Sequence, residues 1–280
     1  MPTIHPTAIV DPAASLADDV QVGPFCIVGP KVTLGAGCRL MSHIHIMGRT
    51  TAGEHNTFWP QCVIGAQPQD LKYQGEDTEL LIGDHNDIRE SVTMHPGTAN
   101  DLGVTRVGSH NLIMAYAHVA HDCVLGDRIV IANGVQLAGH VCVKNHAVIG
   151  GVTAIHHMVT IGQHAFVGGM VRVSKDVPPF MVVEGNPARV RNLNTIGLKR
   201  RGFTDESIAH LRDAYRRLYG PMMRNKVVDT EAVCADLTDA YPHDPHVATL
   251  VQALRDTAAG LHGRSRENTR KDNRWSNPSK

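Results

Sequence analysis

Residues 107–173 read VGSHNL IMAYAH VAHDCV LGDRIV IANGVQ LAGHVC VKNHAV IGGVTA IHHMVT IGQHAF VGGMVR V, and an aliphatic side chain opens every group of six. The same apolar register runs from Ile4 to Ile64 and resumes at Ile82, Ile88 and Met94. Neither the 3.6-residue period of a helix nor the two-residue period of a strand gives this spacing over such a length. A six-residue repeat predicts a parallel β-helix, in which stacked coils bury a shared core.

A second column of residues supports this prediction. Four residues after each aliphatic, the side chain is usually small or medium-sized, as at Ala117 and Val135, which fits a crowded interior edge. Glycine often follows the aliphatic, as at Gly83 and Gly108, and we expect these glycines to form corners that need unusual backbone angles. Three hexads make one triangular coil, so the prism has roughly ten coils and is about 48 Å long.

Composition excludes several kinds of partner and site. Lys plus Arg and Asp plus Glu number 27 each, so no global charge favours nucleic acid or an anionic membrane. No run of 18 apolar residues exists, which argues against a membrane span, and the absence of a signal segment predicts a cytoplasmic protein. Four of the six cysteines (Cys26, Cys38, Cys62 and Cys123) fall in the small-residue column, and no C-x-x-C pair occurs, so we interpret them as packing residues.

The pattern divides the chain into two domains and a tail. We expect a β-helix over residues 1–190, interrupted by polar loops at about 65–81 and 96–106. A helical domain follows over residues 191–263, with helices that begin after Thr204, Thr230 and Asp244, and the last of them runs to about Leu261. Residues 264–280 are basic and almost without apolar side chains, which predicts disorder. Because the flat faces of a single prism would remain exposed, we expect a homotrimer.

Histidine is abundant, at 18 residues, and several fall within the coils. The spacing between His121, His140 and His156 is close to the length of one coil, which predicts a vertical cluster of imidazoles on similar faces of neighbouring coils. Three hypotheses follow. The histidines could be ordinary surface residues, they could bind zinc, or one could act as a general base, with Asp122 orienting His121 if the backbone at a corner permits it.

Four segments give the chain a more specific resemblance. They are residues 69–73 (QDLKY), 88–95 (IRESVTMH), 117–123 (AHVAHDC) and 197–203 (GLKRRGF). From residue 1 to about 260, the sequence resembles the UDP-N-acetylglucosamine O-acyltransferases, the first enzymes of lipid A and hence lipopolysaccharide biosynthesis. The resemblance implies a left-handed β-helix, mainly β, of hexapeptide repeats followed by a small α-helical C-terminal domain. It also implies a homotrimer with its active site between adjacent subunits.

The resemblance also implies a reaction and its catalytic residues. An R-3-hydroxyacyl chain moves directly from acyl carrier protein, which carries it on phosphopantetheine, to the 3-hydroxyl of UDP-N-acetylglucosamine. His121 matches the general base and Asp122 its partner, and the backbone N–H of Gly139 matches the oxyanion donor. The transfer needs no metal and no other cofactor, and no covalent intermediate.

Further matches concern substrate binding. Residues that match substrate contacts are Asp70, Lys72, His118, His140, His156, Asn194, Arg200 and Arg201. Gly169 matches a glycine that leaves the hydrocarbon groove open, which implies a long acyl chain. Two residues depart from the family pattern: Pro96 stands where arginine is frequent, and Ile196 stands where an acidic residue is frequent.

Three alternatives remain open at this point. The related N-acyltransferases carry an additional N-terminal uridine-binding domain, for which hexads that begin at Ile4 leave no room. A zinc-dependent β-helix hydratase of the carbonic anhydrase type would contain bound metal. A non-catalytic trimeric scaffold would not depend on His121.

Overall fold

The computed structural model describes residues 1–221, 227–263 and Arg266, so most of the predicted basic tail lies outside the described residues. Three sheets, parallel except for one antiparallel hairpin at the C-terminal end, form the faces of a triangular prism, and the predicted left-handed β-helix is confirmed. Most strands have only two residues because the chain turns a corner after each hexad.

The strands, numbered β1–β28 along the chain, belong to sheets that we call A, B and C. Sheet A contains β1 (Thr3–Ile4), β4 (Gln21–Val22), β7 (Arg39–Leu40), β10 (Thr57–Phe58), β13 (Asp87–Ile88), β16 (Leu112–Ile113), β19 (Val130–Ile131), β22 (Val148–Ile149), β25 (Phe166–Val167), β27 (Met181–Glu184) and β28 (Arg189–Leu193). Sheet B contains β2 (Ile9–Val10), β5 (Ile27–Val28), β8 (His45–Ile46), β11 (Val63–Ile64), β14 (Thr93–Met94), β17 (His118–Val119), β20 (Gln136–Leu137), β23 (Ala154–Ile155) and β26 (Arg172–Val173). Sheet C contains β3 (Ser15–Leu16), β6 (Val32–Leu34), β9 (Arg49–Ala52), β12 (Glu79–Ile82), β15 (Val104–Val107), β18 (Val124–Leu125), β21 (Cys142–Val143) and β24 (Thr160–Ile161).

The hexad residues form the core of the prism. Val119 pairs with Leu137, the aliphatic that opens the third hexad after it, so one coil consists of three hexads. From Val22 to Val173 the hexad residues are buried, whereas Ile4 is 41% exposed because no coil lies beneath it. The small-residue column is also buried from Val20 onward, and it includes the four cysteines that were predicted to be packing residues.

The corners do not use glycine in the way that the sequence predicts. Most residues with left-handed backbone at the corners are not glycine, and Asp122 (φ 57°) and His140 (φ 63°) are examples. The glycine that follows the aliphatic is needed for close packing between coils instead. A Cβ on Gly83 would lie 2.5 Å from Ser109 Oγ and 2.9 Å from the carbonyl carbon and oxygen of Gly108.

Two insertions leave the prism and end earlier than predicted. Ile82 pairs with Ala52, although the chain between them is two hexads longer than an ordinary coil. Val107 pairs with Ile82, and here the chain is longer than a coil by one hexad and one further residue. Because β12 and β15 already belong to sheet C, the loops occupy residues 65–78 (loop 1) and 95–103 (loop 2), and each ends three positions before its predicted boundary.

Inside the prism, three buried asparagines join the coils on either side of the insertions. Asn86 Nδ2 donates to Asn56 Oδ1 and to the Gly108 carbonyl, each at 2.9 Å, and Asn86 Oδ1 accepts from the Asn111 backbone N–H at 2.9 Å. These bonds satisfy polar groups that would otherwise be unpaired in an apolar core.

Within residues 1–221 and 227–263, the helices that cover the C-terminal end of the prism are α1 (Thr195–Arg200), α2 (Asp205–Tyr219), α3 (Thr230–Ala240) and α4 (Pro245–Ala258). Phe180 and Met181 pack with Leu198 and Leu211 in a second core. The predicted caps Thr204 and Asp244 are confirmed, but Asp229, not Thr230, caps α3.

Two further differences concern helix limits and length. The helix α1 was not predicted, because six residues are too few to show a period, and α4 ends at Ala258, before the predicted end near Leu261. Among the described residues, no helix has the length and apolar character needed to cross a membrane.

Candidate active site

Most of the predicted site residues lie along one edge of the prism, where the chain passes from sheet B to sheet C. Both loops leave the prism at this edge, which we call the B–C corner, and in the next three coils it is formed by residues 120–123, 138–141 and 156–159. Parallel strands in register place these segments one above another, about 4.8 Å apart. The corner carries Asp70, Lys72, His121, Asp122, Gly139, His140 and His156, and His118 lies in the strand that leads into it.

His121 and Asp122 form a hydrogen-bonded pair at this corner. The left-handed backbone of Asp122 turns two adjacent side chains toward each other, and His121 Nδ1 lies 2.9 Å from Asp122 Oδ2. A carboxylate accepts and does not donate, so the proton is on Nδ1 and Nε2 keeps its lone pair. The ring is still partly accessible, whereas the carboxylate is buried. This arrangement suits a general base.

Thr98 of loop 2 holds the buried carboxylate from the other side. Its backbone N–H donates to both oxygens of Asp122 at 3.0 and 3.1 Å, and its hydroxyl donates to Oδ2 at 2.7 Å. Sequence reasoning missed Thr98, because a loop residue belongs to no periodic column. Loop 2 therefore acts as a structural support for the His121–Asp122 pair.

His140 lies directly above this pair and has its own carboxylate. Its ring meets the edge of the His121 ring at 4.9 Å between centroids, and its Nδ1 lies 2.6 Å from Oδ2 of Asp101 in loop 2. Nη2 of Arg266 lies 3.4 Å from the same oxygen. His140 Nε2 is buried and has no hydrogen-bond partner in the described chain, so it is available to a bound molecule. Asp101 and Arg266 were not identified from the sequence.

Two further imidazoles lie close to the His121–Asp122 pair: His118 in the strand that leads into the corner, and His95 in the coil below. The rings of His95 and His118 lie 4.9 Å apart, and His118 Nδ1 lies 2.7 Å from Thr93 Oγ1. Burial lowers the pKa of His95 to about 4, and the neighbouring His118 adds to this shift. Burial also lowers the pKa of His118. Both rings are therefore neutral at neutral pH.

Gly139 lies against the free nitrogen of His121. A Cβ at this position would lie 2.7 Å from His121 Nε2, so a side chain would displace the ring. The backbone N–H of Gly139 takes part in no hydrogen bond within the part of the chain that the structure describes. A free nitrogen base and an unused N–H donor are thus side by side.

Loop 1 carries Asp70 and Lys72, two coils below His121. Asp70 Oδ1 accepts from the Lys72 backbone N–H at 3.0 Å, and Tyr73 donates its hydroxyl to the Glu76 carbonyl at 2.9 Å. Both predicted residues are half-buried. Of the histidines in the predicted vertical cluster, the rings of His121 and His140 are in direct contact, and His156, two coils above His121, has a ring contact with His157 at 4.1 Å between centroids.

The remaining predicted residues lie away from the B–C corner, and two of them, Arg200 and Arg201, are at the end of α1. Asn194 donates to the His164 carbonyl at 2.9 Å, on the edge between sheets C and A, which we call the C–A corner. Arg201 is also near this corner, because its charge adds to the effects of burial and His146 in lowering the pKa of His164 to about 4. Gly169 lies between sheets A and B, on the A–B corner. A single chain therefore does not bring these residues to His121.

One group in the described residues has the composition of a metal site. Ligand atoms of His121, Asp122 and His140 lie within 4.8 Å of one another. Each Nδ1 already bonds to a carboxylate and Thr98 occupies the oxygens of Asp122, so the Nε2 atoms of His121 and His140 are the donors that this arrangement leaves unused.

Known families match both parts of the chain. The model described as "Udp N-acetylglucosamine O-acyltransferase; Domain 2" matches residues 176–262, and the model of the bacterial transferase hexapeptide (six repeats) matches residues 105–139.

Whole proteins match over almost the full length. The acyl-[acyl-carrier-protein]–UDP-N-acetylglucosamine O-acyltransferase of Stutzerimonas stutzeri is 44% identical over 261 residues, which cover 93% of this chain and 99% of that relative. The protein of the same name from Verminephrobacter eiseniae is 46% identical, with coverage of 91% and 95%. The crystal structure of UDP-N-acetylglucosamine O-acyltransferase from Moraxella catarrhalis superposes with a TM-score of 0.85 at 41% identity, over 90% of this chain and 96% of that one.

Proposed function

The chain belongs to the UDP-N-acetylglucosamine O-acyltransferase family, and from this membership we propose the reaction that takes place at its B–C corner. An R-3-hydroxyacyl chain is transferred from acyl carrier protein to the 3-hydroxyl of UDP-N-acetylglucosamine, as the first step of lipid A biosynthesis. The observation that supports this reaction best is the 2.9 Å contact between His121 Nδ1 and the buried carboxylate of Asp122, which leaves Nε2 free to take a proton.

The His121 ring accepts one proton and returns it. Nε2 removes the proton of the sugar hydroxyl while the oxygen attacks the thioester carbonyl carbon, and the carbonyl electrons move onto its oxygen. When that tetrahedral intermediate collapses, the C–S bond breaks and the departing thiolate takes the proton from His121. A positioned general base contributes about 10² to 10⁴-fold to such a step.

The intermediate carries negative charge on the former carbonyl oxygen, and Gly139 is placed to stabilise it. Its N–H makes no hydrogen bond to any residue that the structure describes, and the position where its Cβ would be lies 2.7 Å from His121 Nε2. We assign this N–H as the oxyanion donor. One well-aimed donor of this kind contributes about 3 kcal/mol to stabilising the transition state.

Substrate binding requires more than one copy of the chain. Asp70, Lys72, His118, His140 and His156 are assigned to the B–C corner of one protomer. Asn194, Arg200 and Arg201 near the C–A corner and Gly169 on the A–B corner are assigned to its neighbours in a homotrimer.

We further propose a cytoplasmic reaction without metal or additional cofactor, in which the acyl carrier protein brings the acyl chain on its own phosphopantetheine. The six cysteines are all unpaired, in keeping with that compartment.

Replacement of His121 by Ala tests the assignment of the base. Transfer of a ladder of 3-hydroxyacyl chains to UDP-N-acetylglucosamine, followed by mass spectrometry, should show a loss of at least about 10²-fold, while circular dichroism and oligomer size are unchanged. His110→Ala, which removes an exposed imidazole from the C–A corner, serves as the matched control and should retain activity. Full activity of the His121 variant would favour a scaffold, and stoichiometric zinc in the purified protein would favour a hydratase.

Mixed oligomers test whether the site is shared. His121→Ala and Arg201→Ala subunits, each inactive alone, are mixed in equal amounts after dissociation. If each site takes one residue from each of two neighbours in a ring, roughly a quarter of the sites are intact and activity returns to that level. If both residues belong to the same chain's site, mixing restores nothing.

A further inference from the structure

Two consecutive coils repeat the same pairing of an imidazole with a carboxylate at the B–C corner. His121 Nδ1 lies 2.9 Å from Oδ2 of Asp122, and His140 Nδ1 lies 2.6 Å from Oδ2 of Asp101. Each carboxylate accepts the Nδ1 proton, so Nε2 of each ring keeps a lone pair. Proton transfer from the sugar needs only the lone pair of His121. The corner therefore holds a second nitrogen donor beside the proposed base.

The two rings are close enough to share one small ligand. Their centroids lie 4.9 Å apart, and their planes meet at 89°. His140 Nε2 is buried and has no hydrogen-bond partner in the described part of the chain, whereas the His121 side chain is 14% exposed. A buried nitrogen without a partner is destabilising, and a ligand that reaches it past the His121 ring would remove that cost.

The carboxylates behind the rings are those that metal-binding histidines usually have. Such a histidine donates its second ring N–H to a carboxylate, which fixes the tautomer and makes the free nitrogen more basic. Asp122 is held in place by the Thr98 hydroxyl at 2.7 Å, and Nη2 of Arg266 lies 3.4 Å from Oδ2 of Asp101. Both carboxylates are thus fixed, and their negative charge favours a cation in front of the two Nε2 atoms.

We propose that Nε2 of His121 and Nε2 of His140 bind one divalent transition-metal ion, with Zn²⁺ as its representative. Neutral imidazole is a preferred ligand of Zn²⁺, whereas Mg²⁺ prefers oxygen ligands. In this site Asp122 and Asp101 are positioning residues, because they act on the ion through the rings. Two protein ligands leave the other positions of the ion to water, so it binds reversibly and more weakly than in a structural site with four protein ligands.

Binding of the ion and acyl transfer exclude each other. The lone pair that removes the proton of the sugar hydroxyl is the same one that binds the metal, so a bound ion leaves His121 unable to act as a base. Zinc is therefore a reversible inhibitor that competes with UDP-N-acetylglucosamine. This consequence rests on the proposed function, whereas binding of the ion does not.

Calorimetric titration with ZnCl₂ measures binding without turnover, on the full chain after dialysis against EDTA. His140→Gln should raise the Kd for zinc at least about tenfold, and Asp101→Asn should raise it about 10 to 100-fold, while circular dichroism is unchanged. MgCl₂ should give no binding heat at the same concentrations.

The matched control is His85→Gln, since His85 lies between His55 and His110 in a stack of exposed imidazoles on the C–A corner. Its Kd for zinc should change by less than about twofold. The proposal is overturned if no saturable binding is seen, if His140→Gln or Asp101→Asn leaves the affinity unchanged, or if His85→Gln is the variant that loses it.

Initial rates of acyl transfer test the inhibition. Zinc should lower the rate, EDTA should restore it, and a higher concentration of UDP-N-acetylglucosamine should relieve it. In Asp101→Asn, half-inhibition should need more zinc by the same factor as the Kd rises. Zinc that binds to the two histidines but leaves transfer unaffected would confirm the metal site and refute His121 as the base, so the two failures give different results.

Discussion

Replacement of Asp122 by Asn should lower kcat/KM by about 10²-fold or more while the prism stays folded. The carboxylate accepts from the Thr98 backbone N–H, the Thr98 hydroxyl and His121 Nδ1. Asparagine has one acceptor oxygen and an NH₂ group, so it cannot satisfy these donors on both sides. A hydrogen bond to a charged group contributes about 1.5–3 kcal/mol, which is about 10 to 150-fold in rate.

The tautomer of His121 sets the upper limit of this loss. If the amide oxygen remains with Thr98, the NH₂ group faces His121 Nδ1 and drives the proton to Nε2, which then has no lone pair. In that case the whole contribution of the base, about 10² to 10⁴-fold, is removed. Initial rates of acyl transfer between pH 6 and pH 9, measured by mass spectrometry, would report both effects.

Two controls make this prediction specific. Asp127→Asn changes the same group on the C–A corner, where Asp127 Oδ1 accepts from the Ser109 backbone N–H at 2.7 Å, and its kcat/KM should stay within about twofold of the parent protein. Thermal unfolding checks that the Asp122 variant is folded. If that variant keeps more than half of the parental kcat, the hydrogen-bonded pair is not the source of the base.

Four further predictions concern other parts of the molecule. Asp101→Asn removes the charged partner of His140 and should lower kcat/KM about tenfold at unchanged thermal stability; a loss of stability without a kinetic change would contradict a positioning role. Asn86→Ala leaves buried groups unpaired and should lower the free energy of unfolding by about 3 kcal/mol in denaturant titrations. The pKa of His95 is about 4 in the folded protein and 6.5 in the unfolded chain, so between these pH values the unfolded state binds one more proton. The free energy of unfolding should therefore fall by up to about 1.4 kcal/mol per pH unit as the pH drops from 6.5 to 4, and it should fall less in the His95→Gln variant. Gly169→Met should shift the products to shorter acyl chains, with the fold kept because a Cβ there meets only backbone atoms of residue 151, the nearest at 3.2 Å.

The fold was predictable because its signal is repeated. Each hexad places one aliphatic residue inside the prism, so the register from Val107 to Val173 specifies three faces and the core at once. A single helix gives a weaker signal, and α1 was missed for this reason. The role of glycine was predicted wrongly because the sequence shows where a glycine stands but not why it is needed there. A position can require glycine for its backbone angles or for a close contact with a neighbouring coil. At Gly83 the cause is contact with the next coil.

Insertions limited what could be predicted about neighbouring coils. The stacked imidazoles of His55, His85 and His110 on the C–A corner were not recognised, because loop 1 and loop 2 lengthen their coils and so break the regular spacing along the chain. The rings of His55, His85 and His110 stack at 4.8 and 4.9 Å, and those of His146 and His164 stack at 4.5 Å. The three asparagines inside the prism have the same spacing and were missed for the same reason.

The candidate site was predictable only in part, and the missing part follows from the geometry of loops. His121 and Asp122 were identified through the resemblance, and the structure supplies the 2.9 Å contact that gives them a chemical role. Thr98 and Asp101 have no period and no motif, since their positions depend on how loop 2 folds back over the corner.

The distribution of the assigned residues over three edges has a physical consequence for the assembly. Reacting groups must approach within about 3.5 Å, but a prism keeps its three edges apart with a packed core that no side chain crosses. If His121 on the B–C corner, Arg201 near the C–A corner and Gly169 on the A–B corner all contact one substrate pair, those contacts come from different copies of the chain. Assembly would then be a condition for catalysis and not only for stability, because a lone protomer keeps the His121–Asp122 pair intact but has nowhere to hold the nucleotide and the acyl chain beside it.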